Sequence, residues 1–220
     1  MPDTTPRAIL FDVDGTLIDS NDAHVAAWEA AFSEAGYQIP TANIHAQVGK
    51  GADNLVPSLL PDATPEQTEA LGEAHGRFFK PMLPDLKPFP GAPELLARAH
   101  ASGARVVLAS SASKDELEHH IETLGVRDLL HATTSKDDVE SSKPAPDIFA
   151  AAVKAAGVPA ENAIAVGDTP YDIKAAGGAG IRCVGLLSGG FPADTLGDAV
   201  AIYPDAQALL DRFDESPLAA

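Results

Sequence analysis

Two aspartates stand at the end of a short apolar segment near the start of the chain. Asp12 and Asp14 follow the apolar residues 8–11, and Gly15 comes directly after them. Because side chains alternate along a strand, both carboxylates would point the same way at its carboxyl end, where open α/β sheets bind ligands. Two like charges this close are costly without a cation beside them. The pair therefore predicts a site for a hard metal ion.

Other polar side chains follow apolar runs or precede predicted helices further along the chain. They are Ser110 with Ser111, Lys143, and Asp168 with Asp172. In a parallel sheet these positions would share one edge. Carboxylates and a main-chain carbonyl are ligands that Mg²⁺ accepts, and a lysine and a hydroxyl can hold phosphoryl oxygens. The mixture favours phosphoryl transfer, with one carboxylate as nucleophile and a second acid as proton donor.

The segments that carry these residues alternate between two patterns. Continuous apolar runs, typical of strands buried on both faces, occur at residues 8–12, 105–110, 163–167, 182–187 and 199–203. Helical spacing predicts helices at residues 93–102, 114–124, 146–156 and 171–176. Strands and helices in this order predict an α/β fold with a parallel sheet covered by helices.

The segment after the first strand breaks this alternation. Its apolar spacing predicts only helices, at residues 21–35, 53–60 and 65–79, with Ser20 as an N-cap. A proline-rich stretch that reads as a stiff linker follows it. We therefore expect a helical cap domain at residues 19–87, inserted into a core domain of residues 1–18 and 88–220.

Composition restricts the partners of the protein. Its 220 residues include 32 acidic and 15 basic ones, which gives a formal net charge of −17. This charge disfavours binding to nucleic acid, and a phosphorylated substrate would need local cations. The single cysteine, Cys183, allows no internal disulfide. Residues 1–6 lack the features of a signal peptide, and no apolar run approaches the ~20 residues that span a bilayer. We expect a cytoplasmic protein without membrane contact, monomeric or alternatively dimeric.

Four motifs, in order, resemble those of the haloacid dehalogenase-like superfamily. Residues 12–16, Asp-Val-Asp-Gly-Thr, look like its first motif, and Ser110, Lys143 and residues 167–172 look like its second, third and fourth. The resemblance implies a Rossmann-like parallel core with a mobile helical cap. It points to the branch of phosphoglycolate phosphatases and β-phosphoglucomutases.

The resemblance also implies roles for individual residues. Asp12 would take the phosphoryl group as an aspartyl phosphate, and Asp14 would be the general acid and base. Ser110 and Lys143 would bind phosphoryl oxygens, and Lys143 would also orient Asp12. The implied Mg²⁺ ligands are Asp12, Asp168 and the main-chain carbonyl of Asp14. Asp172 would either bind the ion directly or support the residues that bind it.

Three further residues are expected to contact substrate. Lys50 lies in a Gly-Lys-Gly loop of the cap, His24 lies early in the first cap helix, and Ser111 follows Ser110 in the core. The alternatives are a solvated loop for Lys50 and a structural role for His24. These residues would help to select the leaving group.

We predict a Mg²⁺-dependent phosphatase for a small phosphorylated metabolite, such as phosphoglycolate or a sugar phosphate. Asp14 argues against the dehalogenase branch, which lacks this acid. A β-phosphoglucomutase-like mutase is the second reading, but it must bind a second phosphate, and Lys50 is the only cation where the cap arginine is expected. Thr16 also fits a phosphatase better. A catalytically inactive binding protein on the same fold is the third reading, and the intact set of acids and lysine argues against it.

Overall fold

The computed structural model describes residues 7–219 and contains a six-stranded parallel sheet. The strands are β1 (Ala8–Phe11), β2 (Arg105–Ala109), β3 (Leu130–Thr134), β4 (Ala163–Gly167), β5 (Arg182–Leu186) and β6 (Ala201–Tyr203). Their spatial order is β3-β2-β1-β4-β5-β6. Since the order reverses at β1, ligands are expected at the carboxyl ends of β1 and β4.

The α/β fold with a parallel sheet is confirmed, but the strand β3 was not predicted. Its sequence, Leu-His-Ala-Thr-Thr, has only one fully buried position, Thr134. It lies at an edge of the sheet, so it carries no continuous apolar run that would distinguish it from a loop. The predicted start at residue 199 was also early, because β6 begins at Ala201.

Nine α-helices occur within residues 7–219. They are α1 (Asn21–Glu34), α2 (Thr41–His45), α3 (Ala52–Leu59), α4 (Pro65–Phe79), α5 (Ala92–Ala101), α6 (Lys114–Leu124), α7 (Asp147–Ala156), α8 (Pro170–Gly178) and α9 (Ala206–Asp211). The short helices α2 and α9 were not predicted, because five or six residues are too few to show a helical period.

Alternate residues of β1, a central strand, belong to two apolar clusters on opposite faces of the sheet. Ile9 and Phe11 of β1 belong to the cluster formed with α5, α6 and α9. Leu10 points to the opposite face, where it belongs to the cluster with Phe149 of α7 and Ile173 of α8. Burial on both faces is the physical reason for the continuous apolar run in this strand. It also fixes β1 at the centre of the sheet, with its carboxyl end beside that of β4.

The helices α1 to α4 have an apolar cluster of their own. It contains Trp28 and Phe32 of α1, Leu55 of α3 and Leu71 of α4. We call these four helices the cap; the bounds of a cap domain at residues 19–87 stay a prediction. Residues 1–6, which include the start of the predicted core domain and the segment expected to lack a signal peptide, lie outside the described residues, as does Ala220. Among residues 7–219, no helix has the length and apolar character needed to cross a bilayer.

Candidate active site

Three buried aspartates meet at the carboxyl ends of β1 and β4. Asp12 follows β1, Asp168 follows β4, and Asp172 lies in the first turn of α8. Their carboxylate oxygens come within 4.8 Å of one another. The Thr16 hydroxyl lies 2.7 Å from Asp168 Oδ1 and 3.2 Å from Asp12 Oδ2. The structure thus brings together the predicted acids Asp12, Asp168 and Asp172, which we call the three-aspartate cluster.

Lys143 places its ammonium group inside the three-aspartate cluster. The side chain is buried, contacts Asp12 Oδ1 closely and lies 2.7 Å from Asp172 Oδ1. Burial alone would lower the pKa of Lys143, but Asp12 and Asp172 outweigh it and raise that pKa above its ordinary value. The ammonium is therefore charged at neutral pH, and it fixes the orientation of Asp12.

The three-aspartate cluster carries more negative charge than Lys143 can balance. Burial raises the pKa of Asp12 to about 7, although Lys143 opposes this shift. Burial, followed by repulsion from Asp172 and Asp12, raises the pKa of Asp168 well above its usual value. Buried acids with raised pKa values and oxygen-only donors fit a hard dication such as Mg²⁺. All six carboxylate oxygens of the cluster already have a polar neighbour, so these contacts do not rank the three acids as ligands.

This electrostatic balance predicts that Mg²⁺ binds more weakly as the pH falls. The ion must displace protons from Asp12 and Asp168, whose pKa values are raised in the metal-free protein. The dissociation constant should rise as the pH falls through about 7, and it should approach a tenfold rise per pH unit for each displaced proton at lower pH. Calorimetric titrations in buffers of different ionisation enthalpy would measure both the affinity and the proton release. Equal affinities and no proton release would contradict the proposed ligands.

The side chain of Asp14 lies apart from the three-aspartate cluster. Gly15, with a φ of 75°, turns the chain directly after it. Asp14 Oδ1 accepts a hydrogen bond from the Ser20 hydroxyl at 2.7 Å, so this predicted N-cap serves Asp14 rather than its own helix. His24 Nε2 lies 3.2 Å and His120 Nε2 3.3 Å from the same oxygen. These contacts gather on Oδ1 and leave Oδ2 available for a proton transfer.

The two histidines control the charge of Asp14. Burial would raise the pKa of Asp14, but His120 and His24 outweigh burial and hold that pKa well below its usual value. Burial would likewise lower the pKa values of His24 and His120, yet contact with Asp14 raises both above the ordinary value. Both shifts favour an ion pair in which the proton lies on the imidazoles, next to the carboxylate that would deliver it.

A cavity of about 430 Å³ separates the cap from the core at this point. Asp12 and Asp14 form part of its floor, and His24, Trp28 and Lys50 line it from the cap side. Asp12 therefore faces the same cavity as His24 and Lys50, two residues that were predicted to help select the leaving group.

The other predicted substrate contacts are distributed unevenly around this cavity. Ser111 lines it, with its hydroxyl 3.4 Å from the Gly49 carbonyl. Ser110 is buried at the end of β2, accepts a hydrogen bond from Ala112 N at 3.0 Å, and lines an adjoining cavity of about 290 Å³.

The ammonium of Lys50 contacts two side chains of the cap and one aromatic ring of the core. It lies 2.5 Å from Gln47 Oε1 and 3.0 Å from Ser58 Oγ, and 4.5 Å from the centre of the Tyr171 ring. The residue lines the cavity, but its charge is held by these neighbours. The prediction that Lys50 binds substrate stays a prediction.

Hydrogen bonds hold the cap against the loop that carries Lys143. Gly51 N donates to Ser142 Oγ at 3.0 Å, and Asn54 Nδ2 donates to the Ser142 carbonyl at 3.1 Å. Ser142 N in turn donates to Asp53 Oδ2 at 3.1 Å. The cap therefore closes the cavity on the side of the lysine.

Several residues at the site were not predicted from the sequence. Asn21 Nδ2 donates to the Gly189 carbonyl at 3.1 Å and to Asp168 Oδ2 at 3.3 Å. Gly189 approaches Asp168 so closely that a Cβ atom on it would lie 1.7 Å from Asp168 Oδ2. No local pattern identifies such a contact. His120 likewise had no local signal, since only the fold places it beside Asp14.

We expect Gly189→Ala to weaken Mg²⁺ binding. The new methyl group would displace Asp168, and changes behind a metal ligand typically cost about 10–100-fold in affinity. Titration of Mg²⁺ into the metal-free protein measures the effect. Gly177→Ala is the matched control, because a Cβ atom there meets nothing within 4 Å. Unchanged Mg²⁺ affinity in Gly189→Ala would show that a methyl group at residue 189 does not disturb Asp168 as a ligand.

Comparisons with known proteins agree with this geometry. A family model described as haloacid dehalogenase-like hydrolase matches residues 6–180. A hydrolase of known structure from Pseudomonas syringae is 32% identical, with a TM-score of 0.89, and the match covers 95% of this chain and 98% of that chain.

Three relatives are also similar in sequence. A validoxylamine A 7'-phosphate phosphatase from Streptomyces hygroscopicus subsp. limoneus is 30% identical, over 90% of this chain and 93% of that protein. A phosphoglycolate phosphatase from Rhodospirillum rubrum is 30% identical, over 94% of this chain and 90% of that protein. SUPPRESSOR OF QUENCHING 1 of Arabidopsis thaliana is 31% identical over 81% of this chain, which spans only 18% of that protein.

Proposed function

We propose that this chain, which belongs to the haloacid dehalogenase-like hydrolase family, is a phosphatase that hydrolyses a small phosphate monoester with the help of Mg²⁺. The observation that carries the proposal is the buried contact between Lys143 and Asp12 within the three-aspartate cluster. A lysine that keeps one carboxylate charged and oriented, beside acids suited to a dication, is what a carboxylate nucleophile requires.

Each residue of the site has its own role in the proposed reaction. Lys143 favours the ionised form of Asp12 and orients it, and an Asp12 oxygen attacks phosphorus, forms the acyl phosphate bond, and displaces the leaving oxygen. Asp14 passes to that oxygen a proton that it takes from His24 or His120 beside it, and then takes one from the water that attacks the phosphorus and releases Asp12. Asp12, Asp168 and the Asp14 carbonyl would hold Mg²⁺, supported by Asp172, and the ion would neutralise the charge of the phosphoryl oxygens.

The substrate class follows from the size and charge of the site. A cavity of about 430 Å³ suits a small metabolite. Two relatives named as phosphatases act, according to their names, on phosphoglycolate and on validoxylamine A 7'-phosphate. We propose a phosphorylated small molecule of this kind. The engagement of Lys50 by Gln47 and Ser58 supports hydrolysis over a mutase reaction, which needs a cation for a second phosphate.

A screen of phosphorylated metabolites tests this function. It should include phosphoglycolate, sugar phosphates, and β-glucose 1-phosphate with its bisphosphate, and we expect release of free phosphate that depends on Mg²⁺. Formation of glucose 6-phosphate in place of free phosphate would support a mutase instead. Release no faster than that of an Asp12→Asn control, for every substrate and for p-nitrophenyl phosphate, would support a binding protein.

We expect Asp14→Asn to slow turnover by about 10²–10⁴-fold, which is the usual contribution of a general acid. The loss should be greater for an alkyl phosphate than for p-nitrophenyl phosphate, whose leaving group needs no proton. Steady-state kinetics with both substrates measure the difference. Asp19→Asn is the control, since Asp19 is exposed in the same loop. A loss below about tenfold on the alkyl phosphate would remove Asp14 from this role.

A further inference from the structure

A second group of potential metal ligands lies on the cap side of Asp14. Glu116 and His120 stand one turn apart on α6, and His24 comes from α1 of the cap. Asp14, Glu116 and His120 each offer one ligand atom within 4.8 Å of the others. We call these four residues the Asp14 cluster.

Three buried polar atoms of the Asp14 cluster have no hydrogen-bond partner, although two of them lie in ion pairs. His120 is 0% exposed, yet neither of its ring nitrogens has a hydrogen-bond partner. His120 Nε2 lies 3.3 Å from Asp14 Oδ1, but the contact does not form a hydrogen bond. Glu116 Oε1 is also buried without a hydrogen-bond partner. Because buried polar groups are almost always satisfied, these atoms have unused capacity to bind a ligand.

Two spacings in the Asp14 cluster match those in a four-coordinate metal site, and a third is wider. With bonds of about 2.0–2.1 Å, the ligands of a tetrahedral zinc ion lie about 3.3 Å apart. His24 Nε2 and His120 Nε2 lie 3.2 Å and 3.3 Å from Asp14 Oδ1, and His24 Nε2 lies 3.9 Å from Glu116 Oε1. We propose that Asp14, Glu116, His120 and His24 bind a transition-metal ion such as Zn²⁺, at a site distinct from that of Mg²⁺.

The donor atoms of the two sites differ in chemical type. Two imidazole nitrogens and two carboxylate oxygens suit Zn²⁺ and its transition-metal neighbours, whereas the three-aspartate cluster offers only oxygen and suits Mg²⁺. The two sites would therefore favour different kinds of ion.

Hydrogen bonds behind two of the ligands orient them toward the proposed ion. The Ser20 hydroxyl donates to Asp14 Oδ1, and His24 Nδ1 lies 3.2 Å from His75 Nε2. Burial and the neighbouring His24 hold the pKa of His75 well below its usual value, so His75 is neutral and can accept a hydrogen bond from His24. Such outer contacts fix the ring that binds a metal ion.

A metal ion at this site would join the cap to the core, because His24 belongs to one and Glu116 and His120 to the other. It would also occupy the carboxylate of Asp14 and so inhibit hydrolysis. This last consequence rests on the proposed function, whereas binding of the ion does not.

The test measures metal binding directly in the full-length chain. The Asp168→Asn variant serves as background, since it impairs the three-aspartate cluster. Zn²⁺ is titrated in competition with a chromophoric chelator in saturating Mg²⁺, and Co²⁺ is added separately to record its visible absorption. We expect one Zn²⁺ per chain and the intense Co²⁺ absorption of a four-coordinate site.

Matched variants on α6 assign the ligands. His120→Asn and Glu116→Gln should each weaken Zn²⁺ binding by at least about tenfold. Their neighbours His119→Asn and Glu118→Gln should not, because His119 contacts the Leu83 carbonyl and Glu118 pairs with Arg127. Absence of bound Zn²⁺ in the Asp168→Asn background would overturn the proposal and leave an ion-paired cluster that binds no metal. Equal losses in the neighbour variants would overturn it as well. If the ligand variants fail to fold, the Co²⁺ spectrum of the Asp168→Asn protein is the test. Intense absorption of a four-coordinate site would support the proposal, and its absence would overturn it.

Discussion

Asp12→Asn is expected to lower turnover by at least about 10⁴-fold, a loss in the range found when other covalent enzymes lose their nucleophile. The substitution keeps the shape of the side chain but removes the charged oxygen that would attack phosphorus. It also removes the partner of the Lys143 ammonium. The loss should be the same for alkyl and aryl phosphates, because attack at phosphorus is needed for both. Rates of phosphate release with Mg²⁺ measure it.

Two controls separate this effect from misfolding. Asp198→Asn changes an exposed aspartate and should keep wild-type turnover. Asp12→Asn itself should unfold at a temperature no lower than that of the wild-type protein, because it removes a buried acid whose pKa is raised to about 7. Substantial turnover in a folded Asp12→Asn protein would mean that Asp12 is not the nucleophile.

Lys143→Met should have the largest effect on stability and a large effect on turnover. It would leave Asp12 and Asp172 buried without their shared counter-charge, and breaking a buried ion pair in this way costs about 3–5 kcal/mol. Loss of one preorganised contact to the developing charge should slow turnover by about 10²–10³-fold. Urea unfolding of the metal-free protein and steady-state kinetics measure the two effects.

The destabilisation in Lys143→Met should depend on pH in a defined direction. Without the ammonium, the pKa of Asp12 rises further above its present value of about 7. The unpaired carboxylates cost most when ionised, so the loss of stability should shrink as the pH falls and Asp12 takes up a proton. Lys154→Met, at an exposed lysine of α7, is the control. Equal stability of the two variants would contradict the role given to Lys143.

The residues nearest to the chemistry could be predicted because their signals are local. Asp12 and Asp14 follow an apolar strand, and a parallel sheet brings the ends of its central strands to one edge. The structure places Asp168 and Lys143 at that edge, as the sequence predicted. The edge strand β3 had no such signal, because most of its side chains face outward or are half-buried.

The contacts that refine the site could not be predicted from a single chain. His120 sits on a helix whose apolar face would bury a histidine in any case, and only the fold places it beside Asp14. Gly189 matters because of an approach between two distant loops. Lys50 lines the cavity, but its ammonium also contacts neighbours in its own domain, so its role in binding substrate stays a prediction.

The central claim is that Asp12 carries the phosphoryl group during the reaction. The most direct measurement is rapid quenching of a single turnover, followed by borohydride reduction and mass analysis of the peptide that contains Asp12. We expect the phosphorylated residue to be reduced to homoserine at position 12, and we expect no such product in Asp12→Asn. Quenched samples that release phosphate at the normal rate but never carry a label on Asp12 would contradict the claim.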